Sequence, residues 1–243
     1  MAEQTIFKRY EIKYMLTRNQ YLELKKEMAK YMIADIHGKN TNCSLYYDTP
    51  EHLLIRRSME GPLYKEKLRL RSYGVAKADS KVYIELKKKF EGVVYKRRVE
   101  MTEEESTRYL VNGESVMDTQ ITREIDYCME RYHGLAPSCF LSYDREAYYG
   151  KDDHEFRMTF DENILWRDYD LNLHSGTYGE PILEPDQVLM EVKVLDHMPM
   201  WLVKFLSGNQ IYKTSFSKFA KAYERMMEKP KETNRKGVNI KYA

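Results

Sequence analysis

The chain has 243 residues, 42% of them hydrophobic and 32% charged, enough apolar material for a folded core and too much for wholesale disorder. Lys and Arg number 40 against 38 Asp and Glu, a net of +2, so the broad positive excess of a nonspecific nucleic-acid coat is missing. No apolar run reaches the ~18 residues of a membrane span, the start Met1-Ala2-Glu3-Gln4 lacks a secretory pattern, and Cys43, Cys128 and Cys139 suit neither a disulfide framework nor a zinc site; a cytoplasmic protein is expected.

The first strand-like alternation runs from Phe7 to Met15. Thr17-x-x-Gln20 is a capping box that opens a helix ending near Tyr31, with Tyr21, Leu24 and Met28 on one side. Ser44 to Tyr47 and Lys67 to Arg71 alternate next. Val82 to Lys89 sets Val82, Ile84 and Leu86 against Tyr83, Glu85, Lys87 and Lys89. The turn Phe90-Glu91-Gly92 joins that run to Val93–Glu100 as an antiparallel hairpin. Helices are expected after Thr102-x-x-Glu105 and over Thr119–Tyr132, strands over Phe140–Tyr148, Glu155–Asp161 and Val188–Leu195. A short apolar helix over Pro199–Leu206 and an amphipathic one over Ser215–Glu228 follow. Strands dominate without regular alternation with helices, so the expected class is α+β and antiparallel. One domain is expected over residues 1–228, with a polar tail over 229–243.

The charged faces of these strands are not evenly mixed. They carry Arg9, Lys13, Lys67, Arg69, Arg71, Lys87, Lys89, Lys96, Arg98, Arg145, Arg157 and Lys193 against Glu11, Glu85, Glu100, Glu155, Asp161 and Glu191. An ordinary one-sided sheet with a wet charged face accounts for the alternation. It does not account for runs of one sign such as Lys67-x-Arg69-x-Arg71, which repel unless something anionic sits among them. If the sheet curls with that face inward, the interior becomes a cationic tunnel under outer helices, suited to a linear triphosphate and too narrow for a duplex. Glu11, Glu85 and Glu191 then serve either as ion-pair partners or as ligands for Mg²⁺ or Mn²⁺, which bind few carboxylates plus substrate phosphates. The six histidines form no ligand spacing, and the tyrosines, Trp166 and Trp201 read as packing. Within Lys87-Lys88-Lys89, the middle lysine should point away from the wall.

Arg9-x-Glu11-x-Lys13-Tyr14, Tyr46-Tyr47-Asp48-Thr49-Pro50, Leu68-Arg69-Leu70-Arg71, Glu85-x-Lys87, Tyr143-Asp144-Arg145, Arg157-x-Thr159-x-Asp161, Glu191-x-Lys193 and Ser215-Phe216-Ser217-Lys218-Phe219 occur in one order. Together they resemble the VTC-type polyphosphate polymerase domain, a branch of the CYTH/triphosphate tunnel metalloenzymes. The resemblance implies an antiparallel β-barrel tunnel with helices outside and a C-terminal helix at one tunnel end. It implies transfer of the γ-phosphoryl of ATP to phosphate or polyphosphate, with Arg69, Arg71, Arg145, Arg157 and Glu191 catalytic. Lys13, Lys87, Lys89, Lys96, Arg98, Lys193, Ser217 and Lys218 would bind the phosphates, and Glu191, with Glu11 and Glu85, the Mn²⁺ or Mg²⁺. Arg9 stands where the triphosphatase branch carries a first carboxylate, which leans toward a polymerase. Ser215 stands where some members carry a lysine. The alternatives are a triphosphatase and a polyphosphate- or nucleotide-binding module without turnover. The sequence names no partner protein.

Overall fold

The computed structural model describes residues 10–91 and 93–229. Arg9, Gly92 and the tail from residue 230 lie outside the described residues. In chain order the elements are β1 (Tyr10–Thr17), α1 (Arg18–Met28), β2 (Met32–Ala34), β3 (Asn40–Asp48), α2 (Leu53–Glu60), β4 (Tyr64–Tyr73), β5 (Lys81–Phe90) and β6 (Val93–Thr102). There follow α3 (Glu103–Asn112), α4 (Gln120–Arg131), β7 (Ala136–Gly150), β8 (Arg157–Arg167), β9 (Glu180–Pro181), β10 (Gln187–Val194), α5 (Met200–Gly208), β11 (Lys213–Thr214) and α6 (Lys218–Glu228).

Local chemistry sets several of these boundaries. Thr17 and Thr102 close full capping boxes with Gln20 and Glu105, which end β1 and β6 and start α1 and α3 in one residue each. Pro199 is the N-cap of α5 and Ser217 that of α6, so the last helix starts three residues later than the amphipathic pattern suggests. Helix α2 has no such signal of its own. Its N-cap, His52, makes no side-chain cap bond. Asp48, at the end of β3, does that work from a distance: it accepts the Thr49, Leu54 and Ile55 backbone N–H groups at 2.8, 2.8 and 2.9 Å. Asp48→Ala would leave buried donors unpaired and is expected to cost about 2–3 kcal/mol in urea unfolding; a loss under about 0.5 kcal/mol would contradict this role.

All strands pair antiparallel in one sheet along the path β11-β1-β10-β8-β7-β3-β4-β5-β6, with β2 added to β7 and β9 to β8. The sheet is strongly curled in places. Its hydrogen-bonded ring is not closed: among the described residues no pairing joins β11 to β6.

Alternation then sorts the side chains. On the convex face, α3 and α4 bury Tyr109, Leu110, Ile125 and Cys128 against Leu68, Leu70, Ile84 and Leu86 of β4 and β5. Helices α1 and α5 bury Leu24, Met28, Leu202 and Leu206 against Met158, Met190 and Val192 of β8 and β10. The expected outer helices are there. Helix α6, however, lies in the concavity. Its Phe219 and Ala222 pack with Tyr46, Leu141, Tyr143, Trp166 and Leu189, the inward residues of β3, β7, β8 and β10. One half of the interior is therefore apolar and filled, and the other half is polar.

No helix among the described residues is long and apolar enough to cross a membrane.

Candidate active site

The polar half is built from strand parity. Lys65, Lys67, Arg69 and Arg71 of β4 face inward because Leu68 and Leu70 face the convex core. Glu85 and Lys87 of β5, Lys96 and Arg98 of β6, Glu191 and Lys193 of β10, and Arg145 of β7 follow by the same rule. In β8 a residue with left-handed backbone, Asn163 (φ 49°), shifts the phase. Asp161 before it and Trp166 after it thereby both point inward, Asp161 opposite Arg145 and Trp166 opposite Leu141.

Two carboxylate-braced clusters result. In the first, four cations converge on Glu85: Arg69 Nη2 at 2.6 Å, Lys96 Nζ at 2.7 Å, Arg98 Nε at 3.4 Å and Arg71 Nη1 at 3.9 Å. Burial pushes the Glu85 carboxyl up, but the Arg69, Arg71 and Lys96 charges outweigh it and hold it well below the ordinary range. A depressed folded value means stabilisation that is present above the unfolded value of about 4.3 and is lost as pH falls below it. The stability difference between wild type and Glu85→Gln should therefore be widest above about pH 4.5 and shrink on acidification. Urea unfolding at stepped pH reads this, and a pH-independent difference would refute it.

The second cluster holds Asp161 and Glu191. Asp161 is fully buried and takes a bidentate fork from Arg145, at 2.6 and 2.7 Å, and a bond from Lys218 at the head of α6. Burial pushes its carboxyl up; Lys218 and Arg145 together bring it below normal. Glu191 receives Lys193 at 3.1 Å and stands 3.9 Å from Arg145. Lys13 donates to the Phe216 carbonyl at 2.9 Å and stands 3.4 Å from Glu11.

Tyr143 joins the two clusters. Its hydroxyl accepts from Arg71 Nη2 at 3.0 Å, and Arg145 and Lys218 lie over its ring at 5.2 and 4.4 Å. Outward from them opens a cavity of about 860 Å³ lined by Lys13, Lys65, Lys67, Lys87, Lys89, Lys213 and Lys221, with Ser217 and Glu11. Lys67 lies at its inner end, 3.3 Å from Ser217 Oγ. Burial lowers the Lys67 amine to about 8, with the neighbouring lysines adding to the effect.

The structure thus gathers most of the sequence-predicted residues. Arg69, Arg71, Lys96, Arg98 and Glu85 form one cluster; Arg145, Glu191, Lys193, Lys13 and Lys218 form the other; Lys87, Lys89, Ser217 and Glu11 line the mouth. Lys88 points outward to Glu124, as its parity required. Arg157 stands apart. It is exposed at the start of β8, opposite Lys193, and donates to the His154 carbonyl at 3.4 Å. Sequence reasoning passed over Asp161 as a site residue, although parity set it two positions beyond Thr159. It also read Tyr46 and Tyr143 as packing, and left Lys65, Lys213 and Lys221 unassigned.

Among the described residues no three His, Cys, Asp or Glu side chains converge on a metal position. Glu85 and Asp161 spend their oxygens on close cations. Glu191 is less committed, and its hard oxygen donors suit Mg²⁺ or Mn²⁺ arriving with phosphates that offset the surrounding positive charge.

The sequence profile of the VTC domain matches residues 8–227. No curated protein matches the chain. Among solved structures, a predicted adenylate cyclase from Bacillus halodurans is 11% identical with a TM-score of 0.55, over 88% of this chain and 96% of its own. HpAC1 from Hippeastrum, an adenylyl cyclase candidate reported to have a dominant triphosphatase activity, is 16% identical with a TM-score of 0.53, over 88% and 95%. At these identities the likeness shows the fold alone.

Proposed function

Because the chain belongs to the VTC domain family, we propose that it is a metal-dependent phosphotransferase that moves the γ-phosphoryl of ATP onto phosphate or polyphosphate. The observation that carries this reading is the succession of cations along the polar interior. Beside the lysine-lined cavity stand Arg69 and Arg71 on Glu85; Tyr143 links Arg71 to Arg145, and Arg145 stands 3.9 Å from Oε2 of Glu191. A polyanion can bind along its length, with phosphates handed from lysine point charges to the guanidinium nitrogens that the carboxylates leave free.

Phosphoryl transfer asks for positioning and for cations where charge shifts. Arg71 and Arg145 are braced by Tyr143 and Asp161, so they need not reorganise as the reaction proceeds. Glu191 would hold Mn²⁺ or Mg²⁺, which supplies charge neutralisation at the phosphate oxygens. The acceptor is itself an anionic phosphate oxygen, and no general base is needed.

The test is incubation with ATP and each metal, with products resolved by chain length. Polyphosphate and ADP are expected. Orthophosphate alone would make the chain a triphosphatase, and tight salt-sensitive anion binding without turnover would make it a binding module.

A further inference from the structure

Arg69 has all three guanidinium nitrogens engaged by the protein. Nε and Nη2 go to Glu85 at 2.7 and 2.6 Å. Nη1 donates to the Tyr46 hydroxyl at 3.0 Å. The carboxylate side of the fork is closed by a buried ion pair, so Nη1 is the nitrogen a phosphate can win, and Tyr46 already has it. Tyr46 is itself held in place. It is buried, pairs across the ladder with Arg69 and Cys139, and stacks on Phe219 of α6 with ring centres 4.4 Å apart.

We infer that Tyr46 is a positioning residue for Arg69, whose hydroxyl holds Nη1 until a phosphate oxygen takes its place and then donates to that oxygen. This rests on the phosphate-binding reading above and adds a residue to it. No bond is made or broken. The phenolic proton stays on Tyr46 and its hydrogen bond is redirected.

The surroundings give the exchange a pH dependence. Tyr46 faces Lys67, Arg69 and Arg71 from β4, with Glu85 of β5 behind Arg69. From β7 it faces Tyr143 and the Cys139 thiol, which burial keeps protonated. From α2 and α6 it meets the apolar Ile55 and Phe219, with Lys218 at the helix head. Burial pushes the phenol up, but Arg69, Arg71 and Lys67 outweigh that and bring it down to about 8. A phenolate would grip Nη1 harder than a hydroxyl does and would repel an anion. Phosphate binding therefore favours neutral Tyr46, and affinity falls as pH rises through that value. Lys67 loses its own charge over the same range and acts in the same direction, so the two contributions have to be separated.

Tyr46→Phe keeps the stacked ring and removes only the hydroxyl. The probe is inorganic tripolyphosphate, bound without metal and followed by calorimetry from about pH 6.5 to 9.5, alongside a tyrosinate absorbance titration. Wild type should show one tyrosinate step near pH 8 that the variant lacks, and saturating tripolyphosphate should move it upward. Wild-type affinity should fall about tenfold more than the variant's between pH 7 and 9, the linkage expected for one proton. Identical titrations and identical slopes in the two proteins would overturn the inference and leave Lys67 as the source of any pH dependence; absence of tripolyphosphate binding at every pH would overturn it together with the reading it rests on. A wild-type chain that shows the expected linkage but never turns over ATP would keep Tyr46 in this role and remove the transferase. A chain that makes polymer while the two slopes coincide would do the reverse.

Discussion

Asp161→Ala should be the most damaging single substitution in the interior, lowering unfolding free energy by about 3–5 kcal/mol. Asp161 is fully buried, and its two oxygens hold Arg145 by a double bond pair and Lys218 by a third contact. Removing it strands two cations in a poorly solvated cleft. The nearest other carboxylate is Glu191, whose Oε2 is 3.9 Å from Arg145, too far for a close ion pair, and whose Oε1 serves Lys193. The head of α6 would lose its anchor as well. Urea unfolding measures the loss. The complementary variant, Asp161→Leu with Arg145→Met and Lys218→Met, removes the stranded charge together with its partner and should recover most of that stability. If Asp161→Ala alone cost less than about 1 kcal/mol, the ion pairs would not be what holds β7, β8 and α6 together.

Glu191→Gln should act on turnover and spare the fold. The substitution keeps the volume, and Arg145 keeps its pair with Asp161. Lys193 is about one-third exposed and can turn to water. What disappears is the negative charge that, on the proposed function, would let a divalent cation sit among Arg145, Lys193 and Lys13. Burial pushes the Glu191 carboxyl up, yet Lys193, Arg145 and Lys13 hold it well below the ordinary range, so it is ionised at any pH where the protein works. Loss of one such electrostatic element is expected to reduce turnover on the order of 10²–10³-fold, with the thermal midpoint falling less than in Asp161→Ala, since the depressed carboxyl contributes some stability of its own. ATP consumption and thermal melts, run on the same preparation, test both halves. Wild-type turnover would remove Glu191 from its assigned role. A collapsed melting temperature would recast it as a structural ion pair.

Much of this was legible because strand alternation carries it. The leucines at 68 and 70 fix Arg69 and Arg71 on the opposite face, and no tertiary information is needed to see it. The capping boxes at Thr17 and Thr102 likewise mark helix starts through side-chain chemistry alone. The misses have equally local causes. Helix α2 owes its start to Asp48, several residues upstream, so no cap pattern announces it. Asn163 breaks the phase of β8, so alternation read up to Asp161 says nothing about Trp166. The amphipathic face of α6 by itself promised burial without saying on which side of the sheet; it was the family resemblance that put this helix at one tunnel end. Arg157 shares a face with Asp161, but parity does not tell a rim position from an inner one. The partial closure of the sheet depends on long-range geometry that no segment encodes.

The placement of α6 has a consequence for traffic. A hollow cylinder offers a thread its whole bore, whereas a sleeve half filled by its own last helix leaves only a narrow cationic side for cargo. On the proposed function, a lengthening chain would lie along that side, passing Lys67 toward the doorway at Lys65 and Lys89. Product length would then be governed by how firmly that doorway holds the outgoing strand.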